Sequence, residues 1–158
     1  MIEQSTDIDQ KTSSAIPPSS SKRSTYIYTA VAIVSLIGLA DATYLTIEHV
    51  TGQSVRCTII AGCSEVLSSR YAVIAGVPLA MIGATAYFTV FSLATLAAFG
   101  YRFAGSVLNS LVSLMVLVSL WLIYLQAFEI QSFCQYCLLS AAVTFVLAIL
   151  LVLRWRKS

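Results

Sequence analysis

Four long apolar runs, separated by polar breaks of unequal length, set the organisation of the chain. They lie at Tyr26 to about Ile47, Leu79 to Phe99, about Ser106 to Phe128, and Phe133 to Leu153. A helix needs about 20 residues to cross roughly 30 Å of hydrocarbon, so each run predicts one transmembrane helix. Gly100-Tyr101-Arg102 reads as a short turn, and Glu129-Ile130-Gln131-Ser132 as a brief exposed link. Short connections join antiparallel neighbours, so the predicted fold is all-α, an integral membrane four-helix bundle. The break from Glu48 to Val77 is longer, and Gly52, Gly62 and Gly76 punctuate it. Bundle connections of that length are usually functional. Inside it, Ser64-Glu65-Val66-Leu67-Ser68-Ser69 opens on a capping residue followed by an acid, which predicts a short helix. Pro78 then suits the first turn of the second span.

The flanks divide the chain into three parts. Residues 1–25 are polar and rich in Ser and Thr, with Pro17-Pro18, and predict a disordered tail. The apolar run after them starts too late and runs too long for a cleaved secretory signal. Residues 26–153 form the four-span unit, and 154–158 a basic C-terminus. With 58% hydrophobic and 10% charged residues among 158, an ordinary soluble domain is excluded. A net charge of +2 argues against nucleic acid as a partner.

Charge placement orients the bundle. Lys22, Arg23, Arg102, Arg154, Arg156 and Lys157 fall on the side shared by both termini and the second turn, whereas the other side holds Arg56 and Arg70. The positive-inside rule makes both termini cytoplasmic and the long loop outward. Cys57, Cys63, Cys134 and Cys137 then all face the outward, oxidising side, where disulfides gain over zinc.

Cys134 and Cys137 stand at i and i+3 at the mouth of an apolar helix. That spacing permits a disulfide or a shared metal, and unpaired N–H groups in a first turn stabilise a thiolate. A bridge between them closes almost no loop and would be a poor staple. Cys57 and Cys63 are five residues apart with Gly62 between them, so the loop can fold back to bridge them. A mobile pair and a helix-end pair suggest a relay in which thiolates move a disulfide along the chain. Two inert structural disulfides and a four-cysteine zinc site are the competing readings.

Several segments together resemble the vitamin K epoxide reductase family in its bacterial and plant-like branch. They are Ala42-Thr43-Tyr44-Leu45-Thr46, Cys57, Gly62-Cys63-Ser64-Glu65-Val66-Leu67-Ser68-Ser69-Arg70-Tyr71, Gly76-Val77-Pro78, Gly83 and Phe133-Cys134-Gln135-Tyr136-Cys137. The likeness runs from about Tyr26 to Leu153. It implies a thiol:quinone oxidoreductase that supports disulfide-bond formation. On this resemblance Cys134 and Cys137 match the active-site pair, with Cys137 facing the quinone and Cys134 exchanging with the loop. Cys63 would exchange with Cys134, Cys57 would present the disulfide to a partner, and Ser69 would hydrogen-bond a quinone oxygen. The implied acceptor is a quinone of the ubiquinone, menaquinone or phylloquinone type, reached from the lipid. The implied partner is a soluble thioredoxin-like or DsbA-like thiol protein on the outward side. Many family members carry a fused thioredoxin-like domain; this chain stops at Ser158, so the expected partner is a separate protein. The bacterial-like motifs favour a bacterial inner membrane over a thylakoid or endoplasmic reticulum membrane.

Reduction of the vitamin K quinone or its epoxide is the alternative activity, although Leu79 stands where the animal enzymes have a polar residue. A DsbB-like oxidase has the same chemistry but places its CxxC in the first outward loop, the reverse of the order here. A zinc-binding or disulfide-stapled scaffold without turnover is the rival from another class. Asp41, a few residues inside the first span, is balanced between a helix-end residue that reaches water and a proton-handling acid. His49, the single histidine, reads as a solvated loop residue in preference to a proton relay. Tyr87, Phe88, Phe91, Trp121 and Tyr124 are expected mostly to pack the bundle or anchor it at the interface, with one or two walling the quinone. Ala80, Gly83, Ala84 and Ala86 offer a small-residue face for close helix contact.

Overall fold

A computed structural model describes residues 18–52 and 62–156. The first helix, α1, runs Pro18–Thr51. A one-and-a-half-turn helix, α2, spans Cys63–Ser68, followed by a two-stranded antiparallel hairpin of β1, Val73–Ile74, and β2, Val77–Pro78. Helix α3 is Leu79–Ala98 and α4 is Arg102–Tyr124, which continues as a π-helical segment over Leu125–Ile130. Helix α5, Gln135–Trp155, closes the chain.

All four long helices are long and apolar enough to cross a membrane. Between 17% and 33% of each span's most apolar window is buried within the protein, and Ile33, Phe88, Leu117 and Ile149 are all more than half exposed. Apolar surface on that scale, with every backbone group bonded inside a helix, suits lipid and no other solvent. Helix α1 packs on α3 and α5, and α4 packs on the same two, which makes a four-membered ring. Its core includes Tyr28, Val31, Tyr87, Val90, Leu108 and Leu147. Close approach of α1 and α3 depends on Gly38, since a Cβ there would collide with the Tyr87 ring. The expected small face of α3 meets α1 where Gly83 faces Ala42. At the opposite end of the bundle the Arg154 guanidinium lies 4.6 Å above the Tyr28 ring.

The helix boundaries differ from the sequence expectation in three places. Helix α1 starts at Pro18, so residues 18–25 are helical instead of belonging to a disordered tail. Proline suits a first helical turn, and extending an existing helix is far cheaper than nucleating one. The same helix reaches Thr51, so His49 lies in its last turn and not in a loop. Finally, Glu129 and Ile130 belong to the π segment, and the link shifts to residues 131–134, where Gln131 takes a left-handed conformation with φ of 52°.

Candidate functional site

One end of the bundle is built around Cys134. Its backbone is extended, with φ −100° and ψ 117°, and it occupies the N-cap position of α5. That places Cys137 three residues into the helix, on the same face. The Cys134 carbonyl accepts the first helical bond, from Leu138 N–H at 3.0 Å. Its own N–H donates to the Gln126 Oε1 at 3.0 Å, so the π segment fixes the start of α5. The wider π turn is what the chain uses to bring this amide inward, and Gln126 is only 3% exposed.

Cys134 is fully buried in a small apolar cluster with Leu45, Cys63 and Val66, and Cys137 packs at its edge. Cys63 opens α2, and Gly62 before it makes the approach feasible. With φ of 152° Gly62 sits in backbone space that side chains disfavour, and a Cβ there would lie 2.8 Å from the Phe133 carbonyl oxygen. A second tie holds α2 in place, because the Ser132 hydroxyl donates to the Glu65 carboxylate. Cys134 and Cys137 are free thiols, whereas Cys63 is disulfide-bonded. Cys57 lies outside the described residues.

Electrostatics separate the two thiols. The hydrogen bond from the Cys137 thiol pulls the Cys134 thiol down to about 7, against the opposing effect of burial. Backbone N–H groups of Cys137 and Tyr136 at the helix start add to it. Cys134 is therefore the member of the pair that holds charge near neutral pH.

Beside the thiols lies a cavity of about 360 Å³, walled by all four long helices and by α2. That volume falls at the lower end of small-molecule sites, which run from about 300 to 1,000 Å³. Cys137 lines it and Cys134 does not. Ser69 also lines it, at the end of α2, with its hydroxyl donating to the Val66 carbonyl at 2.7 Å. Deeper in, the Tyr87 hydroxyl donates to the Ser140 carbonyl at 2.7 Å and lies 2.9 Å from both the Ser140 and Thr144 hydroxyls. The lining is largely apolar, with Leu79, Leu111 and Met115 among its walls. An apolar slot with a few polar atoms beside a thiol has the make-up of a small-molecule site.

Of the residues singled out from sequence, Cys63 and Cys134 share one cluster, and Cys137 and Ser69 share one cavity. His49 also lines the cavity, because α1 continues past the expected loop boundary. Asp41 is 8% exposed, and its Oδ2 has no hydrogen-bond partner among the described residues. It lies within electrostatic reach of Cys134, Cys137 and Tyr87. Of the span aromatics singled out from sequence, Tyr87 walls the cavity, while Phe88, Trp121 and Tyr124 are exposed; Tyr71, before the second span, lines the cavity as well. Sequence reasoning missed Gln126, Ser140 and Thr144. The last two stand three and seven residues beyond Cys137, a helical spacing that marks the same face. Gln126 had a weaker signal, as a lone amide in an apolar run.

Comparison with known proteins agrees with this geometry. The model of the vitamin K epoxide reductase family matches residues 29–152. A thiol-disulfide oxidoreductase of Arabidopsis thaliana, LTO1, is 38% identical over 123 residues, which cover 72% of this chain and 33% of the plant protein. The chain thus spans about a third of the length of that relative. The family match takes in the cavity walls, the Cys63 helix and the thiol pair, and by it the chain belongs to the vitamin K epoxide reductase family.

Proposed function

We propose that the protein is a membrane thiol:quinone oxidoreductase that makes disulfides for a soluble thioredoxin-like partner. The observation that carries this reading is the division between the two thiols: Cys137 borders the cavity, and Cys134 is buried against Cys63. One sulfur is exposed to a lipid-soluble acceptor and the other to the loop.

A bound quinone of the ubiquinone, menaquinone or phylloquinone type would supply a two-electron, two-proton acceptor. Cys134 and Cys137 give up two electrons and two protons and close their disulfide. The Cys63 thiolate then attacks Cys134, the bond passes to the Cys57–Cys63 pair, and the CxxC returns to the dithiol. Cys57 presents that disulfide to the partner's two thiols, which leave oxidised. A disulfide-bonded Cys63 with free Cys134 and Cys137 matches the stage after internal transfer. A disulfide sulfur is also a poor zinc ligand, since metals take the thiolate. Ser69 assists by orienting the acceptor; for its hydroxyl to donate it must first leave the Val66 carbonyl. Leu79 in the wall gives no polar partner for an epoxide oxygen, which supports plain quinone reduction. Both termini are cytoplasmic in this reading, in a bacterial inner membrane, with the cysteines outward.

Purified protein given a reduced thioredoxin-like protein and a quinone analogue should form quinol, and Cys137→Ala should reduce the rate to background. Unchanged turnover in Cys137→Ala would sink the assignment of the acceptor side.

A further inference from the structure

Gln126 is the polar group that links the thiol pair to the cavity. It is 3% exposed, lines the cavity, and sits in the π segment, where the helix is widened. A carboxamide has two unlike ends. Here the oxygen is fixed by the Cys134 N–H, at 3.0 Å, and that contact dictates which end is which, because an N–H donor excludes the amide nitrogen from facing it. No acceptor among the described residues takes the amide nitrogen. Two other polar groups of the lining are committed elsewhere, Ser69 to the Val66 carbonyl and Tyr87 to Ser140.

We propose that the Gln126 amide nitrogen donates a hydrogen bond to a carbonyl oxygen of the quinone while its oxygen holds the Cys134 N–H. One side chain then sets the acceptor in register with the thiol pair. The inference rests on the quinone reading and adds a residue to it. No covalent step is assigned to Gln126; it positions both reactants.

The test uses the full-length protein with Cys134 and Cys137 reduced, and two probes, 2-methyl-1,4-naphthoquinone and 2-methylnaphthalene, which lacks both oxygens. Binding is followed by quenching of tryptophan fluorescence, and the quinone carbonyl stretch by infrared difference spectroscopy. Gln126→Met keeps the length of the side chain and removes both polar ends. It should weaken the quinone by about three- to tenfold, the worth of one hydrogen bond, and leave the naphthalene unchanged. In wild-type protein one carbonyl band should move to lower frequency on binding, and in Gln126→Met it should return towards its free position. Equal loss for both probes would make Gln126 a packing residue and overturn the proposal. Two unshifted carbonyl bands in wild-type protein would overturn it whether or not the variant folds. Failure of wild-type protein to bind the quinone would bring down the quinone reading itself, an outcome distinct from binding that ignores Gln126.

Discussion

Cys134 and Cys137 differ by a single turn of helix, yet their surroundings give them opposite characters. The Cys137 thiol donates to Cys134 and so favours the Cys134 thiolate, which pulls that group down to about 7. A lowered value means the thiolate persists at lower pH; it is present above about 7 and lost as pH falls through it. Ultraviolet absorbance of the thiolate in reduced protein should therefore rise with an inflection near pH 7. Cys137→Ala removes the largest cause, and the inflection should move up by roughly one to two pH units, towards that of an ordinary thiol. An inflection that stays near 7 in the variant would assign the effect to the helix start instead. That the two thiols meet was legible in the sequence because CxxC spacing at a helix start puts both on one face. Gln126 was not, since a lone amide in a span gives no periodic signal, and its partner is a backbone N–H that sequence does not display. His49 was misjudged for a related reason: where a helix ends is settled by what packs on it, which residue types state only weakly.

At the level of elements, the four spans follow directly from runs of apolar residues, and the structure places helices on all of them. What the pattern concealed is irregular. The hairpin strands are two residues each, too short for an alternating pattern to register. The π segment over Leu125–Ile130 has the same composition as the α-helix before it, so only contacts with α2 and Cys134 distinguish it. Gly38 shows how tightly the regular part is set. Gly38→Ala should force α1 and α3 apart or displace the Tyr87 ring, at a cost of about 1–3 kcal/mol for overpacking. Reversible unfolding in detergent measures this, and Gly38→Ala with wild-type stability would mean that the interface yields at no cost.

For the molecule as a whole, the proposed function assigns one end to water-soluble thiols and the interior to a lipid-soluble acceptor. Reporter fusions at each terminus, scored by protease protection in intact cells, should place both on the cytoplasmic side; a protected C-terminus with a cleaved N-terminus would refute an even number of crossings. Within that frame, the near-total burial of Cys63 and Cys134 has a consequence for what the protein keeps out. Dissolved oxidants and stray thiols in the surrounding water have no direct line to either sulfur. In the proposed relay, two pools of electrons, one in the lipid and one in water, are thereby insulated from each other except through an ordered series of contacts. The difference in potential between them is preserved from one turnover to the next, as in a circuit whose conductor is sheathed.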